Sequence, residues 1–126
     1  MVLLDLKSSK PIYEQIVEQI KLNVMKGYLK PGDSIPSVRK LALELKITPG
    51  TVAKAYQELE RQELIETIRG KGTFIESEIK LKEDEKRLLE MKRQLSSTIM
   101  ELKMMGYDKS MIVGLVKDIY EEMSIC

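Results

Sequence analysis

The stretch from residue 35 to residue 64 constrains the fold of this 126-residue chain more than any other part of it. It contains two apolar stripes at helical spacing, separated by a polar break in which Thr48 can cap the second helix and Pro49 fits its first turn. The stripes are formed by Val38, Leu41, Ala42 and Leu45 and by Val52, Ala55, Tyr56 and Leu59. Two helices joined so closely form a helix-turn-helix, which can present its second helix to the major groove of DNA.

A basic β-hairpin is predicted directly after these two helices. Residues 64–69 and 73–76 are rich in strand-forming side chains, and Gly70-Lys71-Gly72 joins them. Glycine permits the positive φ angles that a tight hairpin requires. A helix-turn-helix followed at once by such a hairpin is a winged helix, so the predicted fold class is mainly α with a small β-wing.

Two further elements are predicted before the helix-turn-helix. Apolar residues step by four from Ile12 to Val24 and indicate a helix from Pro11 to Lys26, which Gly27 is placed to end. The short apolar patch at the N-terminus lacks a basic leader or a cleavage signal. We therefore expect an extended arm or strand there that packs on the domain.

The character of the chain changes after Glu76. No glycine or proline occurs between Ser77 and Met105, and leucines spaced by seven predict a long helix with an imperfect heptad seam: Leu81, Leu88, Leu95 and Leu102. Gly106 would end this helix, and a final helix is predicted over residues 108–124. The predicted organisation is a winged-helix DNA-binding domain over residues 1–77 and a two-helix dimerisation tail over residues 78–126.

The tail is too short for a core of its own, so its apolar faces need cover. We predict that a second copy of the chain supplies this cover in a symmetric homodimer. The alternative is a monomer whose two tail helices fold back on its own winged helix. The predicted dimer interface comprises Leu88, Met91, Leu95, Ile99, Leu102, Ile112, Val116 and Ile119.

Seven short motifs follow one another along the first part of the chain: Pro11-Ile12-Tyr13, Leu29-Lys30-Pro31-Gly32-Asp33, Ile35-Pro36-Ser37-Val38-Arg39, Thr51-Val52, Ala55-Tyr56, Leu59-Glu60 and Arg69-Gly70-Lys71-Gly72-Thr73-Phe74. In this order and spacing, they resemble the DNA-binding domain of the GntR family of bacterial transcription regulators. The short helical tail is similar to that of the YtrA subfamily. The resemblance implies a sequence-specific DNA-binding transcription regulator, a homodimeric repressor of a bacterial operon that occupies a palindromic operator.

The resemblance also implies which residues contact double-stranded DNA. Ser37 would cap the first helix of the pair and touch a phosphate, and Arg39 would grip guanine O6 and N7, unless it pairs with a carboxylate such as Glu44. Tyr56 belongs either to the core or, through its hydroxyl, to the DNA-contacting surface. Arg69 and Lys71 would enter or flank the minor groove. The full predicted set is Ser37, Arg39, Lys40, Thr48, Gly50, Thr51, Lys54, Tyr56, Arg69, Gly70, Lys71 and Gly72.

The chain departs from the family pattern at two positions. Related domains often carry asparagine or arginine where Gly50 stands, and glycine near Glu63. A base-reading side chain is therefore expected to be missing at Gly50. The DNA sequence that is read would differ while the fold survives.

Composition argues against several other function classes. The net charge is +1, with 12 Lys and Arg against 10 Asp and Glu in residues 1–77, so a DNA-binding face must come from local placement of charge. The chain has no histidine, no Cys/His metal set and no P-loop. Neither an enzyme nor a cofactor or metal site is therefore expected.

The remaining expectations concern location and partners. The single Cys126 fits a reducing cytosol, and no apolar run approaches the ~20 residues of a membrane span, so a soluble cytoplasmic protein is expected. A small-molecule effector, if the protein has one, would have to bind between the tail helices or at the domain junction. The alternative function is a winged-helix module that binds another protein and not DNA.

Overall fold

The structure, a computed structural model, describes residues 2–79 and 84–123. The chain divides into two compact units, one within residues 1–80 and the other within residues 81–125. Leu81, the first leucine of the predicted heptad series, lies outside the described residues.

The first unit is a winged helix. Its elements in chain order are α1 (Ile12–Met25), β1 (Ser34–Ile35), α2 (Val38–Leu45), α3 (Pro49–Arg61), β2 (Ile65–Ile68) and β3 (Gly72–Ile75). The sheet is antiparallel, with β3 between β1 and β2. The predicted helix-turn-helix and hairpin are confirmed, and β1 is a third strand that the sequence did not predict.

Both apolar stripes of the helix-turn-helix contribute to one core. Side chains from α1, α2, α3 and the sheet meet in it, and the largest fully buried ones are Ile16, Ile20, Leu41, Val52, Leu59 and Ile75. Full burial of an aliphatic side chain of this size stabilises a fold by about 1.5–3 kcal/mol. The mutual arrangement of α2 and α3 is therefore set by buried contacts, and their outer faces are free for another role.

Local signals define both ends of α2. Ser37 Oγ accepts a hydrogen bond from the Lys40 backbone N–H at 3.1 Å, as an N-cap does. At the other end, Lys46 has φ +56°, in the left-handed region, and the Ile47 N–H donates to the Ala42 carbonyl at 3.1 Å. Glu63, which follows α3, is also left-handed with φ +59°, at the point where related domains often have glycine. Left-handed backbone thus ends both helices of the pair.

The N-terminal arm packs on α1 as an extended segment without strand pairing. Val2 is buried in the core, and the buried Gln15 amide donates to the Asp5 carbonyl at 3.1 Å and to the Lys10 carbonyl at 2.9 Å. Gln15 Oε1 accepts from the Asp5 N–H at 2.9 Å. These three hydrogen bonds satisfy the buried amide and hold the arm against α1.

The second unit consists of α4 (Glu85–Met104) and α5 (Lys109–Met123). The Asp84 carboxylate caps α4 by accepting from the Arg87 N–H at 3.2 Å, and Asp108 caps α5 by accepting from the Met111 N–H at 2.9 Å. The predicted long helix is confirmed over α4, which begins after the cap at Asp84, while residues 77–79 of the stretch without glycine or proline are not helical. The predicted last residue of the final helix, Ser124, lies outside the described residues.

Candidate nucleic-acid interface

The N-terminal end of α2 presents two exposed cations. Ser37 is exposed and its hydroxyl is used as the N-cap, while Arg39 and Lys40 extend into solvent from the first turn. Neither cation forms an ion pair with a carboxylate of the described residues, and this includes Glu44, the partner considered for Arg39. The guanidinium of Arg39 is therefore available to an external acceptor.

Tyr56 is a core residue and not an exposed contact, which corrects its place in the predicted DNA-binding set. Its side chain is 3% exposed, and its hydroxyl donates to the Pro36 carbonyl at 2.6 Å. Burial raises the pKa of the Tyr56 phenol well above its usual value, so the group stays neutral and keeps its donor proton. The bond ties the middle of α3 to the residue before the α2 cap, and it holds the N-terminal end of α2 beside α3.

The N-terminal end of α3 is open and polar. Pro49 occupies the first turn, and Thr48 stands at the N-cap position, but its hydroxyl pairs with the Thr51 hydroxyl at 3.0 Å and not with a backbone N–H. The predicted capping by the Thr48 side chain is therefore wrong. A Cβ added at Gly50 would have no heavy atom within 4 Å. The Thr51 N–H already donates to the Thr48 carbonyl at 3.1 Å, so the first turn of α3 offers the Gly50 backbone N–H and an unfilled position to a ligand.

Lys54 lies one turn further along α3. Its side chain is exposed, and its ammonium sits 4.1 Å from the ring centroid of Tyr13, which belongs to α1. The sequence contained Tyr13 in a family motif, but no local pattern links two residues so far apart. The contact between them was therefore missed.

The wing carries two more exposed cations, Arg69 and Lys71, on either side of Gly70. Gly70 has φ +81°, and the Lys71 N–H donates to the Ile68 carbonyl at 2.9 Å, which closes the turn. Strand β2 is linked to α3 by the Thr67 hydroxyl, which donates to Glu60 Oε1 at 2.8 Å. The link between strand and helix fixes the base of the wing, while no described contact joins its tip to the α3 N-terminus.

The arrangement has no features of a catalytic centre. Hydrogen bonds from Arg61 and Gln62 lower the pKa of the Glu58 carboxyl to about 2. This is a surface ion pair that keeps a carboxylate charged, not an acid poised for proton transfer. Within residues 2–79 and 84–123, no group of His, Cys, Asp and Glu side chains could hold a metal ion.

The predicted interface residues of the second unit differ in their exposure. On α4, Leu88 is 60% exposed and Leu95 is 56% exposed, and Met91 between them is half exposed. Ile99 and Leu102 are partly buried, and on α5 Ile112 is buried while Val116 and Ile119 are half exposed. Within α4 no residue is buried, so its apolar side chains are largely open to solvent in a single chain.

A helix-turn-helix with a wing and exposed cations at its helix N-termini defines a winged-helix DNA-binding regulator, a class of transcription factors and not of enzymes. The chain belongs to the GntR family, since the model of "Bacterial regulatory proteins, gntR family" matches residues 12–75, just over half of its length. Among the described helices, none combines the length and the apolar character that a bilayer crossing requires.

Known relatives agree with this assignment. The chain is 43% identical over 119 residues to the HTH-type transcriptional repressor YtrA of Bacillus subtilis (strain 168), covering 94% of this chain and 92% of that one. A crystal structure of a transcriptional antiterminator from Listeria monocytogenes EGD-e superposes with a TM-score of 0.87 at 42% identity, covering 98% and 92% of the two chains. The DNA-binding domain of AraR in complex with operator ORR3 superposes with a TM-score of 0.51 at 28% identity, covering 60% and 90%.

Proposed function

We propose that this protein is a homodimeric repressor of a bacterial operon that occupies a palindromic operator and so blocks access to the promoter. DNA binding and regulation follow from the family. The repressor role is supported by YtrA, the repressor similar to this chain over nearly its whole length. In this proposal, residues 1–77 bind DNA and residues 78–126 form the dimer.

The observation that carries the proposal is the set of unpaired cations on one helix pair. Arg39 and Lys54 are exposed and lack ion pairs with described carboxylates, although carboxylates are nearly as numerous as cations in this unit. A guanidinium can form two hydrogen bonds to guanine, and the first turn of α3 favours a phosphate through the free Gly50 N–H and the positive end of the helix dipole. We therefore assign base contact to Arg39 and phosphate contact to the α3 N-terminus.

The remaining predicted contacts complete one DNA-facing surface. Ser37 and Lys40 would meet the backbone beside Arg39, and Thr48, Gly50 and Thr51 would line the major groove next to Lys54. In the wing, Arg69, Gly70, Lys71 and Gly72 would approach the minor groove, where the glycines leave room for the sugar-phosphate backbone. Tyr56 is left out of this surface because its hydroxyl is used within the core.

Dimerisation is supported by the apolar surface of α4. Exposed leucines on a helix that buries none of its own residues are unusual unless a partner covers them. A second copy of the chain presents the same seam, so a two-fold arrangement covers both at once. Such a dimer would bring two winged helices to two half-sites of one operator.

An effector of this protein would bind between the two helices of the second unit. Between α4 and α5, a groove of about 310 Å³ is lined by Ile99, Ile112, Val113 and Tyr107, and also by the charged residues Lys103, Asp108 and Lys109. A small apolar or aromatic molecule is the chemistry that suits this groove.

Selection of duplexes from a random DNA pool, followed by sequencing, tests the proposed function. A homodimeric repressor should enrich a palindrome, and its affinity should fall steeply with salt because phosphate contacts release counterions. Enrichment of a single half-site would contradict the proposal that the protein binds DNA as a homodimer. Absence of salt-dependent binding to any duplex would favour the alternative, a winged-helix module that binds another protein.

A further inference from the structure

The contact between Tyr13 and Lys54 joins α3 to a helix outside the helix-turn-helix. The Lys54 ammonium lies 4.1 Å from the ring centroid of Tyr13, well inside the ~6 Å over which an aromatic face attracts a cation. Tyr13 stands in the first turn of α1, and its own hydroxyl is 3.3 Å from Glu14 Oε1. The face of the ring, and not its hydroxyl, is therefore what Lys54 meets.

Lys54 has an obvious alternative partner that is already occupied. Glu58 lies four residues further along α3, a spacing at which a lysine and a glutamate commonly pair. However, Glu58 accepts from Arg61 Nε at 3.0 Å and from Gln62 Nε2 at 2.8 Å. The ring of Tyr13 is thus the contact that sets the direction of the Lys54 side chain.

A lysine that binds DNA loses rotamer freedom at the moment of contact, and this loss weakens binding. A ring that already holds the ammonium reduces that loss, because fewer rotamers are populated before DNA arrives. An uncharged ring also leaves the positive charge unneutralised, whereas a carboxylate partner would compete with phosphate for it.

We propose that Tyr13 is a positioning residue for DNA recognition, whose ring holds the Lys54 ammonium at the exposed edge of α3, ready for an acceptor on the duplex. The inference rests on the proposed contact between Lys54 and DNA. It extends the recognition surface to α1, a helix from which no residue belongs to the predicted DNA-binding set.

The test is a double-mutant cycle in the full-length chain. The probe is the fluorescein-labelled duplex that the wild-type protein selects from a random pool, and binding is measured by anisotropy at fixed salt. Tyr13→Leu should weaken binding about two- to fivefold, the range of an exposed cation–π contact. Tyr13→Phe keeps the ring and should restore the wild-type affinity. In the Lys54→Ala background, Tyr13→Leu should have no further effect.

Each other outcome has a distinct meaning. If Lys54→Ala binds like the wild type, the proposed DNA contact of Lys54 fails and the inference fails with it. If Lys54→Ala weakens binding but Tyr13→Leu does not, the inference alone is overturned. If Tyr13→Leu still weakens binding in the Lys54→Ala background, Tyr13 acts on DNA by another route and the positioning role is overturned.

One measurement does not depend on the folding of a variant. In the NMR spectrum of the wild-type protein, a ring face at this distance should shift the Lys54 ε-methylene protons upfield of those of exposed Lys40. Coincident shifts for the two lysines would overturn the inference.

Discussion

Tyr56→Phe removes one oxygen atom from the centre of the winged helix. The lost group donates a hydrogen bond of 2.6 Å from a side chain that is 3% exposed, and the Pro36 carbonyl then loses its partner. An unsatisfied group of this kind costs about 1–3 kcal/mol, and the half-buried position of Pro36 favours the lower part of that range. We therefore expect the free energy of unfolding to fall by about 1–2 kcal/mol.

Urea denaturation followed by circular dichroism, at one fixed protein concentration, measures this loss. With a slope of about 1 kcal/mol per molar for a small domain, the midpoint should fall by about 1 M or somewhat more. Tyr28→Phe is the matched control, because Tyr28 is 63% exposed and its hydroxyl forms no hydrogen bond with the described residues. Its midpoint should not move.

The same pair of proteins tests the titration of the buried phenol. The pKa of Tyr56 in the fold lies above the value of 10 for an unperturbed tyrosine. The stabilisation by the neutral Tyr56 phenol is therefore fully present below pH 10. Above pH 10, the free energy of unfolding falls by up to about 1.4 kcal/mol per pH unit. The stability difference between wild type and Tyr56→Phe should accordingly shrink at alkaline pH.

DNA binding decides between the two roles that the sequence left open for Tyr56. Under conditions where both proteins are folded, Tyr56→Phe should bind the selected duplex as tightly as the wild type. A weaker affinity with an unchanged urea midpoint would refute the reasoning, because the hydroxyl would then contact DNA and not the fold.

Four further predictions concern the surface, the turn and the tail. Arg39→Ala should reduce discrimination between the selected and random duplexes by about 1–3 kcal/mol without lowering the urea midpoint, and wild-type discrimination at equal salt would disprove its base contact. Lys71→Ala should weaken binding to all duplexes about equally and lower the salt slope by about one, whereas a loss of sequence preference alone would show that it reads bases. The double substitution Leu95→Asp and Leu102→Asp should give a monomer with a folded winged helix, since burying an unpaired charge costs several kcal/mol, and its operator affinity should fall steeply. If sedimentation shows that the mutant is still dimeric, or that the wild type is monomeric, the assigned seam is ruled out. Lys46→Gly should raise the free energy of unfolding by about 0.5–1 kcal/mol, since left-handed strain outweighs the entropy cost of glycine, and an unchanged or lower urea midpoint would contradict this.

The sequence predicted those parts of the fold that rest on local periodicity. The stripes that include Leu41 and Leu59 identified α2 and α3 because their burial repeats with the helical turn, and Gly70 marked the wing turn through its conformational freedom. Strand β1 was not predicted, because a strand of two residues is too short to show an alternation of apolar and polar side chains. The leucine spacing predicted that α4 exists but not where it begins, because the start is set by the Asp84 carboxylate, which caps the helix.

The candidate site was predictable as a set of residues but not as a set of contacts. Arg39 was found because a motif places it, and its lack of an ion pair could be seen only in three dimensions. The role of Tyr56 depended on the position of the Pro36 carbonyl, and the contact of Lys54 depended on the packing of α1 against α3. Neither of these two contacts depends on sequence spacing, so no pattern along the chain could have predicted them.

The open space at Gly50 separates the sequence preference of a recognition helix from its stability, two properties that are usually coupled. A Cβ there meets nothing within 4 Å, so a side chain could begin at this position without a clash against the core. Glycine is also a poor helix former, and most replacements would leave α3 as stable or more stable. Because Gly50 belongs to the proposed DNA-facing surface, a library randomised at this single codon is expected to vary operator preference at nearly constant stability.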